Sequence, residues 1–134
     1  MKNKILLITT ILLLASACSS NNLKKLSFEK LNEKLENKDS FVLYLTNEDE
    51  YGTTLKNTLT SVSKENDLKT FYVNLDKLSD SELDSLNEKF TFEDENIILF
   101  IKDGSESTVL SRVDDPYISH DKLTNELKNQ GFIK

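Results

Sequence analysis

Ile97-Ile-Leu-Phe-Ile101 is an uninterrupted run of five apolar residues, too continuous for a strand with one face in water. Such a run belongs in the middle of a sheet covered on both sides. Asp103-Gly104 follows at once, a dipeptide suited to the positive φ values of a tight hairpin, and the chain resumes with β-branched residues at Thr108 and Val109. A buried strand therefore turns back into an antiparallel neighbour. Phe41-Val-Leu-Tyr-Leu45 is a second run of the same kind, and alternation within each strand predicts core positions at Phe41, Leu43, Ile98 and Phe100.

Between these runs the period changes to that of a helix. Phe28, Leu31 and Leu35 share one face of a helix from about Ser27 to Asn37, with Ser27 placed as its cap. Leu55, Leu59 and Val62 repeat the spacing, Phe71 to Leu75 reads as a strand, and Ser79-Asp-Ser-Glu82 is a capping box for a helix carrying Leu83, Leu86 and Phe90. After the hairpin, Val109 to Val113 forms the second arm, stopped by Asp114-Asp115-Pro116. Ser119 caps a last helix, Ile118 and Leu123 form its hydrophobic staple, and Gly131 lies just past its end with Phe132 able to fold back on Leu127. The predicted order is αβαβαββα. A strand–helix–strand crossover is right-handed in nearly all cases, so the strands at Phe41 and Phe71 should lie parallel.

The stretch from Phe90 to Gly104 resembles the second half of the thioredoxin fold, and the resemblance extends over roughly Ser27 to Lys134, without that family's optional first strand. It implies a three-layer α/β/α sandwich with a mixed sheet. It also places Asn96 where the family has a proline held in the cis form. A cis peptide before a residue other than proline costs about 2.5–4 kcal/mol, so a trans peptide and a reshaped loop are expected here. The family's Cys-x-x-Cys redox site falls, by the same overlay, on Glu50-Tyr51-Gly52-Thr53. No cysteine occurs anywhere from Asn47 to Leu59, and thiol–disulfide exchange needs both an attacking thiolate and a leaving sulfur. The expectation is a redox-inactive domain with no cofactor.

Met1-Lys-Asn-Lys4 precedes an apolar run from Ile5 to Leu14 interrupted only by Thr9 and Thr10, the pattern of a secretory signal peptide. The run is short of the roughly 20 apolar residues of a membrane span. Its end, Leu14-Ala-Ser-Ala-Cys18, resembles the lipobox of bacterial lipoproteins, which implies acylation of Cys18, the single cysteine of the chain. The expected organisation is a signal peptide over 1–17, a lipidated tether over 18–25 and a thioredoxin-like domain over 26–134. Localisation would be the extracytoplasmic face of the cell membrane. The mature chain, about 117 residues, suits one domain. Losing Lys2 and Lys4 but no acid takes the net charge from −6 to −8, which argues against nucleic acid or anionic lipid as a partner. Attachment to the bilayer then falls to the acyl chains on Cys18.

Other chemistry is sparse. His120, the single histidine, lies between Ser119 and Asp121, but a serine hydroxyl occupied in capping is no nucleophile, and the three read as a helix start rather than a triad. Three glycines in the chain leave no phosphate-binding loop, and no zinc-ligand cluster or Asp-x-Asp-x-Asp-Gly calcium loop is present. The acidic residues are more informative. Glu48, Asp49 and Glu50 follow one strand, Glu93, Asp94 and Glu95 precede the central strand, and Asp114 and Asp115 follow the hairpin. The thioredoxin topology would bring these three loops to one end of the sheet, where eight carboxylates form either a field for a basic protein or peptide or a divalent ion, or simply solvated loop surface. The favoured reading is a membrane-anchored binding or accessory module, resembling the thioredoxin-like accessory proteins of bacteriocin export. A carboxylate- or metal-dependent enzyme and a structural lipoprotein without ligand are the alternatives.

Overall fold

A computed structural model describes residues 22–90, 95–111 and 118–134. Among these residues five strands form one sheet: β1 (Leu23–Lys25), β2 (Phe41–Thr46), β3 (Thr70–Asn74), β4 (Ile97–Lys102) and β5 (Ser105–Ser111). Among the described residues four α-helices accompany it, α1 (Phe28–Glu36), α2 (Glu50–Glu65), α3 (Asp80–Lys89) and α4 (His120–Asn129), with a 3-10 turn at Leu75–Lys77. The strand order is β1-β3-β2-β4-β5. β2 runs parallel to β3 and antiparallel to β4, so the sheet is mixed.

Residues of β2 and β4 alternate between two cores. Val42, Tyr44, Ile98 and Phe100 face Leu55, Leu59 and Val62 of α2 and Leu123 and Leu127 of α4. Phe41, Leu43, Leu45, Ile97, Leu99 and Ile101 face Leu31 of α1 and Leu86 of α3. Every one of these is at most 4% exposed. The three-layer α/β/α sandwich implied by the thioredoxin resemblance is thus present, and the four expected core residues lie in it, two on each face.

The local signals act as their chemistry dictates. Ser27, Ser79 and Ser119 each accept a backbone N–H as N-caps, and Glu82 completes the capping box. Phe132 N–H donates to the Leu127 carbonyl at 2.9 Å and Gly131 N–H to that of Lys128 at 3.0 Å. With φ +80° at Gly131, this is the paired closure of a helix C-terminus by a left-handed residue. Asp103 and Gly104 have φ of 52° and 77°, the geometry of a two-residue hairpin. That turn docks on the end of α1: Gly104 N–H donates to Asp39 O at 3.0 Å, and a β-carbon on Gly104 would meet the Leu35 carbonyl oxygen at 2.4 Å.

Two expectations are corrected. Leu23-Lys24-Lys25 is strand β1, paired in parallel with Thr70-Phe71-Tyr72, instead of the end of a tether. The expected order therefore gains a strand in front, and Thr70 N–H donates to Asn22 O at 2.6 Å to seat it. Three residues with two lysines carry no strand pattern of their own. Their pairing is dictated by the open backbone groups of β3. The second arm of the hairpin begins at Ser105 rather than Val109, because a two-residue turn leaves no loop after Gly104; Val113 lies outside the described residues. Ser107 is the extra residue of a bulge, since Phe100 pairs with Thr108 and Ile101 with Glu106. A bulge twists this edge strand and, with the two lysines of β1 at the other edge, discourages strand addition at either side of the sheet.

Candidate functional site

β2 ends at Thr46 opposite the start of β4 at Ile97, so the loop after the one meets the loop before the other. Asn96 is the meeting point. Its side chain is buried and every polar atom of it is engaged. Thr46 Oγ1 donates to Asn96 Oδ1 at 2.7 Å, and Asn96 Nδ2 donates to Asp49 Oδ1 at 3.1 Å and Asn47 Oδ1 at 3.3 Å. Asp49 Oδ1 also accepts the Gly52 N–H at 2.7 Å, as N-cap of α2. Tyr44, buried beneath, donates its hydroxyl to the Gly52 carbonyl at 2.7 Å. Burial holds that phenol far above its ordinary pKa, so it stays a donor.

Gly52 is required by this arrangement. A β-carbon there would lie 2.4 Å from Asn96 Oδ1 and 2.7 Å from Thr46 Oγ1. The first turn of α2, Glu50-Tyr51-Gly52-Thr53, is thus held against Asn96 by hydrogen bonds and contains no sulfur. No peptide bond between described residues is cis, including the one preceding Asn96.

The acidic residues divide. Glu48, at φ 60°, pairs with Lys56 Nζ at 3.2 Å through Oε1 and accepts from Asn74 Nδ2 at 3.2 Å through Oε2. Asp49 caps α2, and Glu95 accepts from Asn47 Nδ2. Glu50 is exposed. These four do gather at one end of the sheet, opposite the hairpin turn, but three of them also hold the loops in place. Cys18, Glu93, Asp94, Asp114 and Asp115 lie outside the described residues. Among the described residues no three His, Cys, Asp or Glu side chains are grouped to hold a metal ion.

His120 stands apart from this end. Its Nε2 lies 2.7 Å from Glu65 Oε2 at the far end of α2, and that hydrogen bond raises its pKa above the ordinary value. Ser119 Oγ accepts from Lys122 N–H, as a cap should.

Sequence reasoning missed a cavity of about 540 Å³ beside the first two turns of α2, lined by Tyr51, Thr54, Leu55 and Thr58, with Asp49, Glu50 and Ile118. The spacing 51, 54, 55, 58 is itself a helix stripe, legible in the sequence. Leu55 belongs at once to this stripe and to the core stripe with Leu59 and Val62, and the stronger core pattern masks the other.

The backbone now permits comparison with known structures. Thioredoxin O1 from Arabidopsis thaliana, in its oxidized state, superposes with a TM-score of 0.58 at 17% identity, covering 81% of this chain and 97% of that one. The fold is thioredoxin-like. At this identity the likeness extends to the fold alone. No protein-family model and no curated protein matches the sequence. Within the thioredoxin-like frame the start of α2 and the residue before β4 are neighbours, as the resemblance implied, and here those positions hold Glu50 to Thr53 and Asn96.

Proposed function

We propose that this chain is a lipid-anchored, extracytoplasmic binding module whose thioredoxin-like domain holds a basic partner and does not exchange thiols. The observation that carries the reading is the knot at Asn96. Where a redox site would need two sulfurs and an open face, Asn96, Asp49, Thr46 and Gly52 are tied to one another, and the first turn of α2 offers no thiol. Engagement of Asp49, Glu48 and Glu95 in fixing the loops favours a preformed acidic surface over acid–base catalysis, which needs a carboxylate available to the reacting group.

Anchoring is supported by Leu14-Ala-Ser-Ala-Cys18 and by the charged flank at Lys2 and Lys4. No helix among the described residues is long and apolar enough to cross a membrane. Two acyl chains give stable attachment where one gives marginal binding. The test is photo-crosslinking in intact cells from a reactive group placed at Glu50. A captured protein with a basic contact surface, whose association slows as salt rises and slows again when Glu93, Asp94 and Glu95 are changed to Gln, Asn and Gln, is the expected result. Reduction of a protein disulfide by the purified chain, or unchanged association in the triple variant at low salt, would overturn it.

A further inference from the structure

The cavity beside α2 adjoins the Asn96 knot through Asp49, while Asn96, Gly52 and Thr46 are not among its described lining residues. Its deepest residues are apolar: Leu55 is 3% and Ile118 6% exposed, and Tyr51 is half-buried beside them. Thr54 donates its hydroxyl proton to the Glu50 carbonyl at 3.1 Å and Thr58 to that of Thr54 at 3.3 Å. With those protons used within the helix, what the threonines offer a ligand is chiefly methyl surface. Asp49 and Glu50, both exposed, complete the lining, and no lysine, arginine or histidine is among its described residues. At about 540 Å³ the space lies within the usual range of ligand sites, roughly 300–1,000 Å³.

We propose that this cavity takes one apolar side chain of a basic peptide, whose flanking lysines or arginines meet Asp49 and Glu50. The proposal rests on the binding reading above and names the chemistry of the partner. Charge complementarity selects the occupant. An apolar ligand without charge would cover the two carboxylates without compensating their lost water, and an acidic one would be repelled by them and by a chain of net charge −6. A lysine-flanked apolar residue satisfies both parts of the lining at once.

The test uses the full-length chain in neutral detergent and three fluorescent peptides of five residues: Lys-Lys-Phe-Lys-Lys, the same with Ser for Phe, and the same with Ser for every Lys. The first should bind about tenfold or more tighter than either other, the gain expected from burying a phenyl ring. Thr58→Trp, which fills the cavity, should abolish the advantage of the Phe peptide over the Ser peptide, and Glu50→Gln should weaken both lysine peptides. If Thr58→Trp does not fold, Thr54→Arg at the exposed rim provides the same reading. Equal, salt-sensitive binding of both lysine peptides would overturn the cavity proposal while leaving the basic-partner reading in place. Absence of binding by either lysine peptide at low salt would sink both. Equal binding of the lysine-free Phe peptide would point to a neutral apolar ligand, and a dimer dissociated by Thr58→Trp to a second copy of the chain; either result overturns the proposal.

Discussion

The side-chain oxygen of Asn96 occupies space that a β-carbon on Gly52 would need, 2.4 Å from where that carbon would stand. A helical glycine is normally improved by alanine, by roughly 1 kcal/mol. Here Gly52→Ala should destabilise instead, by about 1–3 kcal/mol, because the buried Asn96 and Thr46 must give way. Asn96→Ala should also be destabilising on its own, since Thr46 Oγ1 loses its acceptor. In the double variant the closer of the two clashes is gone and only that with Thr46 Oγ1 at 2.7 Å is left, so the two losses should fall short of their sum by at least about 0.5 kcal/mol. Urea midpoints of the four proteins measure this, and strict additivity would mean that Gly52 and Asn96 do not compete for that space.

Phe100 is fully buried between β2 and β5 and packs on Phe132 with ring centroids 5.9 Å apart. Phe100→Ala should cost about 3–5 kcal/mol, a large part of the total for a domain of this size. A urea midpoint equal to that of the unaltered protein would remove Phe100 from the core.

The His120–Glu65 contact joins the start of α4 to the end of α2. Because Glu65 raises the folded pKa of His120 above its unfolded value of about 6.5, the contact contributes in full below that pH and is lost as pH rises through the folded value. Among the described residues, the groups facing the imidazole are Glu65 and, 3.7 Å from its Nδ1, Asp121. The melting temperature of the native chain should therefore fall, relative to that of Glu65→Gln, between pH 6 and pH 8. Parallel curves for the two proteins would show that the pair contributes nothing to stability.

Lys38 sits at φ 58° just past α1, with its N–H on the Leu35 carbonyl and the Asp39 N–H on that of Lys34. This is the position most helices give to glycine. Lys38→Gly should raise stability by up to about 1 kcal/mol, since the left-handed backbone costs an L-residue about 1–2 kcal/mol and glycine's greater unfolded freedom returns part of that. Thermal unfolding checks it, and a lowered melting temperature would indicate that the lysine stem contributes more than its backbone costs.

Cys18→Ser should abolish incorporation of a palmitate analogue in cells and leave the chain unprocessed by lipoprotein maturation. Continued labelling of the variant would refute acylation at Cys18.

What the sequence determined by itself is what short-range chemistry governs. Ser27, Ser79 with Glu82, and Ser119 close helices through bonds spanning three residues; Gly131 ends α4 within one turn; Asp103-Gly104 sets a two-residue hairpin; and two solid apolar runs require cover on both faces. Each of these is complete within a few neighbours, so the order of residues is enough to read it. Tertiary structure alone decided the rest. β1 exists because β3 has an open edge, 47 residues away in register (Leu23 with Thr70). Asp49 caps Gly52 locally, but it and Glu48 read otherwise as surface charge until folding supplies Asn96, Lys56 and Asn74. Asn96 acquires its role from residues 47 to 52 positions distant. A polar side chain has the same local preferences whether it is hydrated or buried, so its partners are fixed only when antiparallel pairing of β2 with β4 brings their two loops together and excludes the water between them.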